Sequence, residues 1–433
     1  MDNSRQIAVT ILQKIINENL FFSDAKEQLH LTEHKDIAFI NMLVLSTLRH
    51  RVFIQKILHQ FIKKANKKQP RFADFAIETA TAEILFLDTP DYAILNSYIN
   101  LIKQQSDKHI ANFANAVLRN ICRQKEDILK NNSYIFFSEH FKQHILKGYS
   151  ASTINEIEKY ARNVPPLDLT IKNPAQTEEI NRQLQGTILP NGSIRLSNTG
   201  KINKLYGYDE GLWWVQDFAA SLPVLALGDI KNKTALDLCA APGGKTAQLI
   251  SKGASTTALD ISAERLKTLQ ENLQRLKLKT TNTICANALD FLQNYTGELF
   301  DIILLDAPCS ASGTFRRHPE LIHLKNQNDI NKSADIQKQI LSLASNALKK
   351  DGIILYTVCS ISKKEGEEQI ATFLQNHPEY KQIPISEADL YKQKHIDFPN
   401  IIDSKGNIRT LPHHLNQYGG MDSFFAAKLQ KVL

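Results

Sequence analysis

Two cysteines stand directly behind short apolar runs: Cys309 in FDIILLDAPC and Cys359 in GIILYTVCS. Both runs are rich in isoleucine and leucine and bounded by turn residues, so each reads as a strand buried on both faces of a parallel sheet. Strands of a doubly wound sheet open at their carboxyl ends onto one crevice, and both thiols then face it. Such a pair suits methylation of a cytosine ring at C5. That carbon is a poor nucleophile until a thiolate adds at C6 and leaves an enamine-like ring, a case of one hard step split into two easier ones. The adduct must afterwards lose the C5 proton and expel the thiol, which calls for a second group. Asp306, at the same lip, is placed to hydrogen-bond the N4/N3 edge of the ring and to border a cofactor. Taken singly, each cysteine also reads as a buried packing residue and Asp306 as a turn carboxylate; the pair in one crevice favours chemistry.

The cofactor is read from LDLCAAPGGKT, Leu236 to Thr246. A strand runs into a turn of small residues and opens a helix, whose first N–H groups are unpaired. GGKT resembles the end of a P-loop, but that motif needs glycine where Cys239 stands, and GxGxxG is absent. A nucleoside cofactor without a polyphosphate fits better. Asp260 ends the next strand, TTALD, as a ribose-hydroxyl acceptor or as the cap of the helix SAERL. Asn287 ends the third, as an adenine contact or a helix cap. Cys239 and Cys285 read as packing residues.

These strands belong to the last part of a 433-residue chain, long enough for two or three domains. From 225 to 433 strands and amphipathic helices alternate, which predicts an α/β domain with a Rossmann-like sheet. Residues 1–130 show apolar side chains recurring at three and four, as in FINMLVLSTLRHRVFIQKILHQFIKK, and predict an all-α domain. Residues 131–224 are mixed and read as a connecting subdomain. The five cysteines form no CxxC pair, so no disulfide framework or metal site is expected. No apolar run reaches a membrane span, and the N-terminus does not read as a signal peptide, so a cytoplasmic protein is expected. A net charge of +7 tilts towards an anionic partner, and the basic run Lys63 to Arg71 reads as a solvated loop or a phosphate contact.

CAAPGGKT, DAPCSASG followed by RRHPE, and YTVCS together resemble the RNA (cytosine-5)-methyltransferase family, and the N-terminal helices resemble a NusB-type RNA-binding domain. The resemblance covers nearly the whole chain. It implies methyl transfer from S-adenosyl-L-methionine to C5 of a cytidine in small-subunit (16S) rRNA; nothing in the sequence requires more than a monomer. It places the cofactor on Cys239, Ala240, Ala241, Pro242, Gly243, Gly244 and Lys245, with Asp260 at the ribose and Asn287 and Asp306 beside it. It makes Cys359 the nucleophile and Cys309 the helper in release. Arg316, Arg317 and His318 are expected to meet phosphates beside the target base, or else to form a solvated loop. Three departures stand out: Asn287 where the family has aspartate, Val358 where it has threonine, and KKEGEE from Lys363 to Glu368 where it has Pro-Glu-Glu-Asn. A catalytically silent RNA-binding assembly factor and an N4/N6 amino-methyltransferase are the alternatives; two intact thiols argue against both.

Overall fold

The structure, a computed structural model, describes residues 2–31, 36–62, 71–197, 200–391 and 401–432. The basic run from Lys63 lies outside these, apart from Arg71. The chain forms two compact units, Met1–Gln143 with Phe315–Lys325, and His144–Thr314 with Asn326–Leu433.

The first unit is helical, built mainly on Asp2–Glu18, Ile37–Phe61, Phe72–Phe86, Asp91–Gln105 and Lys108–Arg123. Their apolar stripes close one core around residues such as Leu12, Leu48, Ile54, Ile77, Ile102 and Leu118. Buried charges are paired: the guanidinium of Arg5 grips Glu83 at 3.0 and 2.6 Å, and Arg51 meets Glu78 at 2.7 Å. Ile37–Phe61 is long and apolar enough by composition to cross a membrane, a feature the sequence reading passed over. Its Leu43, Leu48, Ile54 and Ile57 are fully buried in the helical core, which accounts for its apolarity.

Phe315–Lys325 joins this unit although it follows the Cys309 loop directly in sequence. Phe315 packs among Phe136, Phe137 and Phe141 with ring centroids 5.7, 5.2 and 6.5 Å away. Arg49 Nη2 donates to the carbonyl of Arg316 at 2.8 Å, and the His323 ring lies 2.8 Å from the carbonyl of Leu48.

In the second unit, β1 (Leu167–Ile171), β2 (Thr187–Ile188), β3 (Ile194–Leu196) and β4 (Trp213–Val215) form a small antiparallel sheet ordered β2-β3-β1-β4. The mixed segment after Gln143 therefore does not stand as a third unit. One reason is Arg195, which pairs with Asp168 at 2.6 and 2.7 Å and donates to the carbonyls of Tyr418 and Gly420 near the far end of the chain.

The large sheet contains β5 (Thr234–Leu238), β6 (Ser255–Asp260), β7 (Asn282–Cys285), β8 (Phe300–Asp306), β9 (Leu348–Val358), β10 (Tyr380–Ile383), β11 (Ile408–Arg409) and β12 (Phe425–Lys431). Its order is β10-β12-β9-β8-β5-β6-β7, with β11 on β12. The run β9-β8-β5-β6-β7 is parallel, and β12 inserts antiparallel beside β9. Leu238 pairs with both Leu259 and Leu305, Asp260 with Cys285 and Asp306 with Thr357, so the carboxyl ends stand level. Every residue singled out on these strands is thereby brought to one edge.

Candidate active site

The two thiols meet: Cys309 Sγ and Cys359 Sγ are 3.4 Å apart. Each sits on a loop that leaves a strand end, and a strand end alone does not hold a loop. A buried carboxylate does. Glu365 Oε1 accepts from the Ser310 N–H at 2.8 Å and from Gln337 Nε2 at 3.1 Å, while Oε2 accepts from the hydroxyls of Ser310 and Ser360, both at 2.6 Å. One fully buried side chain thus ties the residue after Cys309 to the residue after Cys359. Behind the second loop Arg409 donates to the Ser360 carbonyl at 2.6 Å and is held by both oxygens of Glu367 at 3.0 and 2.6 Å. KKEGEE therefore does order the loop: Glu365 and Glu367 supply the contacts, and Tyr356 closes the turn by donating to the Glu365 carbonyl at 2.6 Å. Sequence reasoning passed over Glu365 and Arg409, because one lies inside a charge run and the other more than forty residues further on.

The hydrogen bond to Cys359, with burial and the Glu365 charge behind it, pushes the Cys309 thiol well up. Cys309 is held as a protonated thiol beside its partner. Lys245 Nζ bonds Asp306 Oδ2 at 2.7 Å and lies over the Phe424 ring at 5.3 Å. Burial disfavours its charge, but the Asp306 carboxylate, with Cys359 as a lesser contributor, more than offsets that and raises its pKa.

The cysteines line one side of a cavity of about 430 Å³, whose other walls include Cys239, Ala241, Asp260, Asn287 and Asp306. Ala240, Pro242, Gly243, Gly244 and Lys245 do not line it; they build the turn that carries Cys239 and Ala241 there. Cys239 adopts φ +61° and Gly243 φ +101°, and a Cβ on Gly243 would stand 2.9 Å from Leu269 Cγ, so the tight turn requires glycine there. Burial, with Asp306, Asp260 and Asp237 nearby, pushes the Cys239 thiol up to about 12. It is an inert neutral group, as its packing role suggests.

Asp260 is buried and accepts from the N–H of Ala241 at 3.1 Å and of Ser262 at 3.1 Å. Arg265, 54% exposed, spans it and the Ala241 carbonyl. The carboxylate at the second strand end thus orders the first turn as well as facing the cavity. Asn287 is exposed, and its Oδ1 accepts from the Leu289 N–H at 2.8 Å, which makes it the cap of Ala288–Gln293. The cap and cavity readings hold together, since the same residue does both. Ile261 and Ile336, 66% and 40% exposed, add apolar wall that a flat ring would cover. A cavity of this size, with two carboxylates, one amide and apolar faces leading to the thiols, fits S-adenosylmethionine.

Two expectations are corrected, and one departure is explained. Arg316 is 1% exposed and belongs to the helical unit's interior, so it does not offer its charge to a phosphate; Arg317 is half-buried, and only His318 is exposed. Cys285 is exposed rather than packed, its Sγ 3.7 Å from the Ile261 carbonyl. Val358, in place of threonine, is buried among Tyr356, Phe425 and other apolar side chains, where its extra methyl strands no hydroxyl. Among the described residues no cluster of side chains could hold a metal ion.

Residues 2–123 match the model of the NusB family, and residues 224–430 match that described as 16S rRNA methyltransferase RsmB/F. The ribosomal RNA small subunit methyltransferase B of Proteus mirabilis is 31% identical over 388 residues, covering 86% of this chain and 91% of that protein. Its namesake from Pasteurella multocida is 29% identical and covers 100% of this chain and 96% of that one. Among solved structures, PH0851 aligns over 99% of both chains at a TM-score of 0.69 and 21% identity. NSun6 from Pyrococcus horikoshii, solved with SFG, covers 69% of this chain and 99% of its own at a TM-score of 0.57 and 19% identity; both share the fold.

Proposed function

Since this chain belongs to the 16S rRNA methyltransferase RsmB/F family, whose members are S-adenosylmethionine-dependent rRNA methyltransferases, we propose that it methylates C5 of a cytidine in 16S rRNA through a covalent adduct on Cys359. The observation that carries this reading is the 3.4 Å approach of two thiols inside the cavity that fits the cofactor. An amino-methyltransferase needs neither thiol.

S-adenosylmethionine, when bound, supplies an electrophilic methyl group. Asp260, Asn287, Cys239 and Ala241 would hold it, and the SFG carried by NSun6 is consistent with a nucleoside ligand in this fold. The sulfur of Cys359 adds to C6, and the ring electrons shift to C5, which becomes the nucleophile. Asp306, fixed by Lys245, hydrogen-bonds the N3/N4 edge and steadies the ring as charge develops. After C5 is alkylated, its proton leaves to solvent water and the electron pair of that C–H bond expels Cys359 from C6 as thiolate. Cys309, a protonated thiol 3.4 Å from that sulfur, is positioned to give the departing thiolate a proton. Reaching both sulfurs requires the base to leave its stack, which unpaired RNA makes cheaper.

The test is denaturing electrophoresis of Cys309→Ala and Cys359→Ala after incubation with S-adenosylmethionine and protein-free 16S rRNA. A slow, RNase-sensitive band confined to Cys309→Ala is expected. The same band in Cys359→Ala, or in neither, would overturn the assignment.

A further inference from the structure

A second polar site lies in the helical unit, between Asp91–Gln105 and Lys108–Arg123. On the first helix Tyr92, Asn96, Asn100 and Lys103 recur at four, four and three, and so form one stripe. On the second, Asn112, Asn115 and Arg119 recur at three and four, and the two stripes line a groove of about 420 Å³. Exposed polar faces of antiparallel helix pairs usually alternate charge signs. No carboxylate lines the groove, and over the two helices and their connection, Asp91 to Arg123, Asp91 and Asp107 are the acids against Lys103, Lys108, Arg119 and Arg123. Arg119 Nε donates to Asn115 Oδ1 at 3.1 Å, which fixes the guanidinium beside the amide row. Tyr92 is 77% exposed at the end of the amide row, so its ring is open to a stacking partner.

We infer that this groove binds a single-stranded segment of the RNA substrate, an inference that rests on the rRNA methyltransferase reading and adds where the RNA is held. Each element has a counterpart in such a strand. Asparagine side chains pair with base edges, an exposed aromatic ring stacks on a base, and lysine and arginine neutralise phosphates without regard to sequence. A protein partner would meet the same cations with carboxylates but would leave the amide row and the ring without their specific complements.

The experiment measures binding of full-length protein to protein-free 16S rRNA between 50 and 200 mM KCl. Lys103→Gln/Arg119→Gln should flatten the slope of log affinity against log salt by about 1.4, two phosphates at about 0.7 each for single strands. Tyr92→Ala should weaken binding about fivefold or more, with little change in slope. All the substituted side chains are on the surface, so an unchanged melting temperature and S-adenosylmethionine affinity check that the fold is intact. Unchanged affinity and slope in both variants would overturn the inference. If the covalent band forms while these variants bind like wild type, the groove fails alone; if wild type binds rRNA through the groove but no band forms, the C5 chemistry fails alone.

Discussion

Glu365 should be the structural hinge on which the two thiols depend. Replacing it with alanine removes four hydrogen bonds, at 2.6, 2.6, 2.8 and 3.1 Å. The serine hydroxyls can turn to one another, since Ser310 and Ser360 Oγ already lie 2.9 and 3.0 Å from Ser312 Oγ. The Ser310 N–H and one hydrogen of Gln337 Nε2 cannot. Two stranded buried donors at about 1–3 kcal/mol each give a loss of about 4 kcal/mol. For a unit of this size that is about 8 °C in melting temperature by calorimetry. The catalytic effect is separate: freeing both loops lets the sulfurs drift, and a displacement of about 1 Å costs about a hundredfold in kcat. S-adenosylmethionine affinity should stay within about threefold, because Asp260 ends another strand and Asn287 caps the helix that follows a third. Glu365→Gln keeps an acceptor for the Ser310 N–H and offers its amide to hydroxyls able to accept, so it should recover most of the stability and about a tenth of wild-type kcat. An alanine variant that melts within about 2 °C of wild type and turns over normally would refute the argument.

Two further outcomes are expected. Asp260→Ala should raise the S-adenosylmethionine dissociation constant by at least about tenfold in titration calorimetry, since it loses the ribose acceptor and also frees the Ala241 N–H that orders the turn; an unchanged constant would remove Asp260 from the site. Burial, and His413 beside it, hold His414 down at about 3, and its Nδ1 accepts from the Leu411 N–H at 3.2 Å, which protonation would oppose. The folded state then binds fewer protons than the unfolded one between about pH 3 and 6.5. The stability this group contributes is complete above about 6.5 and falls by about 1.4 kcal/mol per pH unit below it. Melts of wild type and His414→Asn should therefore converge on acidification, and parallel pH profiles would count against the assignment.

What the sequence determined by itself is the part written in local periodicity and contiguous motifs. Five apolar runs, each ending in a polar or sulfur-bearing residue, require a parallel sheet with those residues on one edge, because parallel strands share a direction and their carboxyl ends face one way. Cys239, Asp260, Asn287, Asp306, Cys309 and Cys359 were all legible on that basis, and all six line the cavity. The helical periodicity of the N-terminal residues was equally plain. Interactions between residues far apart in sequence leave no period to read. Glu365 looks like one charge among several in KKEGEE until burial brings two serine loops onto it. Arg316 reads as a basic loop residue until Phe315 settles among three phenylalanines and carries it into the helical core. The mixed segment loses its independence through Arg195, whose partners at Tyr418 and Gly420 lie more than two hundred residues away. Strand order and desolvation decide such contacts, and both exist only once the chain has closed on itself.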